Sequence, residues 1–213
     1  YLDWYYTQTG KKREMLIDDW HPTWLRDLPE MAQLRAPGNT CLSACENLFR
    51  HEEVRNNSKG CGGIMRVAPM ALLDAGYASR NENGYSIEEL AEAGGEISEC
   101  THKHPLGFLP ASLLTVLLYK VVPMSVKQVQ EEIDDIVADT LNVLNRIYKG
   151  KYESDKRYLK ELTEMAMLLA HSNISDADAI RQLGEGWTAE ETWAIALFCA
   201  IRHIDSVENA IIA

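Results

Sequence analysis

Cations are scarce in this sequence. Lys and Arg total 21 against 32 Asp and Glu, a net charge of −11. A chain that acidic makes a poor general binder of DNA or RNA, which needs clustered positive charge along phosphates. Long apolar runs are missing too. The best candidate, Leu113 to Val122, is interrupted by Tyr119 and Lys120 and closed by Pro123, well short of the roughly 20 residues of a membrane span. No basic stretch followed by an apolar one marks a signal peptide. The five cysteines form no C-x-x-C pair, which points to free thiols in a reducing cytoplasm. Strand signals are nearly absent: no long alternation occurs, and Asn83-Gly84 lies between polar segments rather than β-branched runs. Neither an internal repeat nor a linker divides the chain.

What is present reads as helix. Of its 213 residues 46% are hydrophobic and 25% charged, the balance of a globular protein of one domain. Three capping boxes open helices: Ser86-Ile87-Glu88-Glu89, running towards Cys100; Ser125-Val126-Lys127-Gln128; and Thr188-Ala189-Glu190-Glu191. After Ser125, apolar residues recur at Val129, Ile133, Ile136, Val137, Thr140, Leu144 and Ile147, a 3.6-residue period stopped by Gly150. The helix after Thr188 is apolar on most sides, so Trp193, Ile195, Leu197 and Phe198 are expected in the core with Leu141 or Leu144. Further helices are expected at Asn39–Phe49, Ile64–Ala78, Leu109–Tyr119, Tyr158–Ala170 and Ala177–Leu183, and one opens at Ser206. Leu16–Pro37, with three prolines and anchors at Trp20, Trp24 and Leu25, reads as an irregular connection. The expected fold is one all-α domain. Its ends look cut: the chain starts without Met, and the last helix reaches Ala213 without a stop signal.

Chemistry concentrates in two stretches. Ser58-Lys59-Gly60-Cys61-Gly62-Gly63-Ile64-Met65-Arg66 places three glycines in four residues directly before an apolar helix. Converging backbone N–H groups at a helix start make an anion site, with Lys59 and Arg66 as added charge; a plain tight turn is the alternative. No Gly-Lys-Ser/Thr follows, so it is not a Walker loop. Cys61 has no partner base in the sequence and suits packing or lining better than nucleophilic attack. The second stretch, Cys100-Thr101-His102-Lys103-His104-Pro105, lacks the further ligands of a metal site, which leaves His102 structural or substrate-facing. Acidic pairs such as Asp18-Asp19 and Asp134-Asp135 read as solvated surface, and no residue stands out as catalytic.

Taken together, Arg35-Ala36-Pro37-Gly38-Asn39-Thr40-Cys41, the glycine stretch through Pro69, Thr101-His102-Lys103-His104-Pro105 and Leu183–Glu191 resemble, in this order, the ADP-ribosylglycohydrolase family of the dinitrogenase reductase-activating glycohydrolase type. The resemblance implies an orthogonal all-α fold of which residues 1–213 form the central part. It also implies hydrolysis of the bond between ADP-ribose and a modified protein side chain or related acceptor, assisted by two Mg²⁺ ions. By motif match the substrate would meet Ser58, Lys59, Gly60, Cys61, Gly62, Gly63 and His102, with Met65 and Arg66 fixing the loop onto its helix. The family's two acidic metal motifs match nothing here: one would precede Tyr1 and the other follow Ala213, and Asp18-Asp19 has the wrong context. The metal ligands are therefore expected outside this chain, and the chain alone is expected to be inactive. A non-catalytic relative that binds ADP-ribose or serves as a structural protein is the alternative, and a helical interaction domain with the glycines as a mere turn is a third.

Overall fold

The computed structural model describes residues 2–9, 23–79 and 84–213; Asp18-Asp19, Trp20 and Asn83 lie outside the described residues. Among the described residues ten α-helices follow one another: α1 (Leu2–Thr9), α2 (Asn39–Phe49), α3 (Ala68–Ser79), α4 (Ile87–Glu99), α5 (Pro105–Val121), α6 (Val126–Ile147), α7 (Glu153–Ala170), α8 (Asp176–Leu183), α9 (Ala189–Arg202) and α10 (Val207–Ile212). Among the described residues there is no strand, only an isolated antiparallel bridge between Gly60 and Thr188. The fold is all-α, as expected. Where described, the irregular connection holds two 3-10 turns, Trp24–Asp27 and Pro29–Ala32. Among the described residues no helix is long and apolar enough to cross a membrane.

Helix starts obey their caps. The Glu89 carboxylate accepts the Ser86 N–H at 2.8 Å while Ser86 Oγ accepts the Glu89 N–H at 3.3 Å; Ser125 and Gln128 repeat the exchange at 2.9 and 3.3 Å. Three boundaries differ from expectation. The segment read as one helix over Ile64–Ala78 is a 3-10 turn, Ile64–Arg66, followed by α3. Pro69 has no N–H to give the Met65 carbonyl, so it is accommodated only in the first turn of a helix that starts afresh. α5 begins four residues before the expected Leu109, because Pro105 presets the first turn and His104 Nδ1 accepts the Leu106 N–H at 3.0 Å. α7 begins at Glu153 instead of Tyr158, after Tyr152 at φ 55°. Its polar first turn has no apolar stripe to betray it. Lys156 is buried there with its ammonium on the Tyr148 carbonyl at 2.9 Å.

α5 is the central helix, buried from Leu106 through Leu117 except for Leu114, and packs against α3, α4, α6 and α9. α4 approaches it closely through two glycines. A Cβ on Gly94 would lie 2.2 Å from Thr115 Oγ1, and one on Gly95 would lie 2.6 Å from Ser112 Oγ. Trp193 of α9 donates its indole N–H to Thr163 Oγ1 of α7 at 2.9 Å, and Arg202 caps the end of α7 through the Ala170 carbonyl at 2.9 Å. Trp193, Leu197, Phe198, Leu141 and Leu144 are core residues as expected. Ile195 is not: it is only partly buried, and Ala196 and Ala200 are exposed, so α9 is buried on one side rather than most. Its short alanines are apolar without demanding burial.

Candidate functional site

The four sequence blocks, far apart along the chain, meet at one place. The segment Asn56–Arg66 runs between the first turns of α2 and α9 and the Thr101–His104 bend joining α4 to α5. Asn56 ties the segment to that bend: its Nδ2 donates to the Thr101 carbonyl at 2.9 Å, and its Oδ1 accepts the N–H groups of Ser58 and Lys103, both at 3.1 Å. Ser58 carries the junction further. Its carbonyl accepts the His104 N–H at 3.3 Å, and its hydroxyl lies 3.2 Å from Thr40 Oγ1 in the first turn of α2.

On the other side the loop is fastened to α9. The Cys61 N–H donates to the Trp187 carbonyl at 3.0 Å and the Ala189 N–H to the Lys59 carbonyl at 2.8 Å, either side of the Gly60–Thr188 bridge. Lys59 Nζ pairs with the carboxylate of Glu190, which is fully buried. Hydrogen bonding to Glu190 holds the Lys59 ammonium above its ordinary pKa.

Positive φ among the described glycines occurs only at Gly150, Gly184 and Gly186, so backbone conformation does not demand the loop glycines; close approach requires Gly63 and presses on Gly62, while Gly60 leaves room for a Cβ in ordinary contact. The His102 ring lies against the loop: a Cβ on Gly60 would come within 3.5 Å of Nε2, and one on Gly62 within 3.3 Å of Cε1 and 3.5 Å of Cys41 Sγ. Gly63 faces the other way, into the fold. A Cβ there would sit 1.9 Å from Ser98 Oγ and 3.3 Å from the Gly107 carbonyl oxygen. Gly107 in turn leaves room for the loop, because its own Cβ would meet the Ser58 carbonyl oxygen at 2.8 Å.

His102 is 2% exposed, with Nδ1 in a 2.8 Å hydrogen bond with Thr101 Oγ1. Burial, reinforced by the nearby Arg66 charge, pushes its pKa down to about 4, so the imidazole is neutral at pH 7 and can exchange hydrogen bonds without presenting charge. Arg66 does not reach outwards. Its Nη2 donates to the carbonyls of Ile97 and Ser98 at 2.7 and 3.0 Å and to Thr101 Oγ1 at 2.5 Å, capping the end of α4. It fixes the loop to α4 instead of to the loop's own helix, while Met65, expected to share that task, is 68% exposed. Cys61 is half-buried and packs against the core.

Ser58, Lys59, Gly60, Cys61, Gly62 and His102 are thus gathered in one place, with Gly63 and Arg66 behind them and Met65 beside them. Sequence reasoning missed Asn56, Thr40, Gly107 and Glu190. Asn56 had a local signal, an Asn two residues before a Ser at a turn. Glu190 had only its place in a capping box, where an acid is expected for the helix dipole alone.

The donor set does not fit a pair of Mg²⁺ ions. The carboxylate at the loop, Glu190, is held by Lys59, and among the described residues no three His, Cys, Asp or Glu side chains converge to hold a metal ion.

A family model described as ADP-ribosylglycohydrolase matches residues 1–213. The ADP-ribosylhydrolase ARH3 of Homo sapiens is 25% identical over 170 residues, 76% of this chain and 44% of that protein. Those of Bos taurus and Mus musculus are each 23% identical over 170 residues, 76% of this chain and 43% of theirs. The chain therefore spans less than half the length of these curated relatives. No solved structure matches it.

Proposed function

The chain belongs to the ADP-ribosylglycohydrolase family, and from that premise we propose that the protein hydrolyses the glycosidic bond between ADP-ribose and a modified protein side chain or related acceptor. In that reaction water adds to the anomeric carbon and the acceptor departs with a proton. Residues 1–213 supply the substrate-binding part, as the centre of a single domain, and the Mg²⁺ ligands come from outside them. The protein acts in the cytoplasm, a reading supported by its five free cysteines.

One observation carries this reading: four separated segments, including Thr40, Ser58–Gly63, His102 and Trp187–Glu190, are built onto one another around a loop stripped of side chains. A turn serving only to reverse the chain needs no such convergence. Stripped backbone lets a ligand approach closely, and the neutral His102 beside Gly60 and Gly62 suits the hydroxyls of a ribose better than a phosphate. The alternative is a non-catalytic relative that binds ADP-ribose or serves as a structural protein; the two readings part on whether carboxylates outside residues 1–213 complete a metal centre.

Calorimetric titration of the chain with ADP-ribose tests the site. We expect saturable binding, weakened at least tenfold in Gly62→Val, whose added methyls would displace His102. A chain that takes up no ADP-ribose at millimolar ligand would overturn the assignment.

A further inference from the structure

The ion pair between Lys59 and Glu190 is out of proportion to a surface contact. The Glu190 side chain is 1% exposed and that of Lys59 42% exposed, so the carboxylate is committed to the interior and the ammonium reaches inwards to meet it. Glu190 occupies the second position of α9, and the residues around the pair are joined by backbone as well: Lys59 carbonyl to Ala189 N–H, and Trp187 carbonyl to Cys61 N–H. A buried carboxylate stripped of its paired cation is strongly unfavourable. A phosphate that drew Lys59 outwards would have to leave Glu190 in that state.

We propose that Glu190 is a positioning residue of the site: it takes up the charge of Lys59 and, through Lys59, seats the glycine loop on the first turn of α9. The loop then meets a ligand with backbone N–H groups, the Ser58 hydroxyl and the His102 ring, and the lysine cation stays on the protein side. The role in binding rests on the ADP-ribose reading; the seating of the loop does not.

The test is a set of variants of the chain, Lys59→Met, Glu190→Gln and the charge-free Lys59→Met/Glu190→Leu, read by ADP-ribose titration and by hydrogen exchange of the Cys61 and Ala189 amides. Each single variant is expected to speed exchange at both amides and to weaken ADP-ribose at least tenfold. The double variant, which replaces the pair by apolar side chains, should recover most of both losses, and Lys59→Arg, which keeps the cation for Glu190, should lose less of both than Lys59→Met. Weaker binding in Lys59→Met with tighter binding in Glu190→Gln would make Lys59 a direct phosphate ligand and overturn the proposal. Unchanged exchange in every variant would also overturn it. Should Glu190→Gln not fold, the double variant and Lys59→Arg decide on the same readouts. A wild-type chain that binds no ADP-ribose would refute the functional reading instead, while hydrogen exchange still settles whether Glu190 seats the loop.

Discussion

Gly62 and Gly63 are neighbours with opposite duties. Gly62 gives its missing side chain to His102 and Cys41, and Gly63 gives its own to Ser98 and the Gly107 carbonyl. The sequence shows three glycines before an apolar residue but not which way each faces; that depends on α4 and α5, which are fixed only when the helices pack. The same holds for Lys59 and Arg66. Both are legible as cations at a loop, yet their partners, Glu190 and the end of α4, lie 131 and 31 to 35 residues away. His102 was legible as a structural or substrate-facing residue, and its burial adds a pH dependence. Because its pKa falls from 6.5 unfolded to about 4 folded, the unfolded chain binds the extra proton between those values. Stability from this side chain is therefore complete above pH 6.5 and drains away as pH drops to about 4, by up to roughly 3 kcal/mol. Urea unfolding at pH 7 and pH 5 should show wild type losing more stability than His102→Gln over that interval; equal losses would mean that the ring is not held neutral.

At the scale of elements, α2, α4 and α6 were readable to within a residue or two, while the starts of α3, α5 and α7 were not: prolines set the first turns of α3 and α5, and the first turn of α7 is polar. The end of α2 shows a device that the sequence conceals. His51 sits at φ 58° just beyond the helix, where glycine is the usual occupant. The Glu52 N–H closes back on the Asn47 carbonyl at 2.8 Å and the His51 N–H on that of Leu48 at 3.2 Å, so the helix ends in a Schellman motif built on a histidine. A left-handed non-glycine residue is strained by about 1 kcal/mol or more, whereas glycine loses more chain entropy on folding, roughly 0.5–1 kcal/mol. His51→Gly should therefore come out neutral to stabilising by up to about 1 kcal/mol, and His51→Val should destabilise, its branched Cβ being worst suited to that backbone. Thermal unfolding of the two variants checks the order, and a glycine variant less stable than the valine one would contradict this account of the turn.

For the whole molecule, the helices place the glycine loop proposed to meet substrate, and among the described residues no cluster of metal-ligating side chains accompanies it. Glycosidic hydrolysis in this family, as the sequence resemblance implies, uses two Mg²⁺ ions, and two dications held close together need several anionic oxygens pointing to one spot. The 32 acidic residues of this chain do not meet that demand by number. Among the described residues they are mostly exposed and scattered over helix surfaces: Glu88 pairs with Arg146 across α4 and α6, Asp178 with Arg181 within α8, and Asp139 with Lys120 between α5 and α6. Glu190, the exception by burial, already serves Lys59. Dispersed carboxylates bind Mg²⁺ weakly and with no fixed geometry, so adding the ion does not create a centre. We therefore expect residues 1–213 to bind ADP-ribose yet to release none from an ADP-ribosylated peptide, in millimolar Mg²⁺ or without it. A longer protein that contains this chain together with both acidic motifs should release it. The two are assayed side by side against a no-enzyme control. Turnover by residues 1–213 above that control would place a working set of carboxylates within this chain, with Asp18-Asp19 the first to substitute.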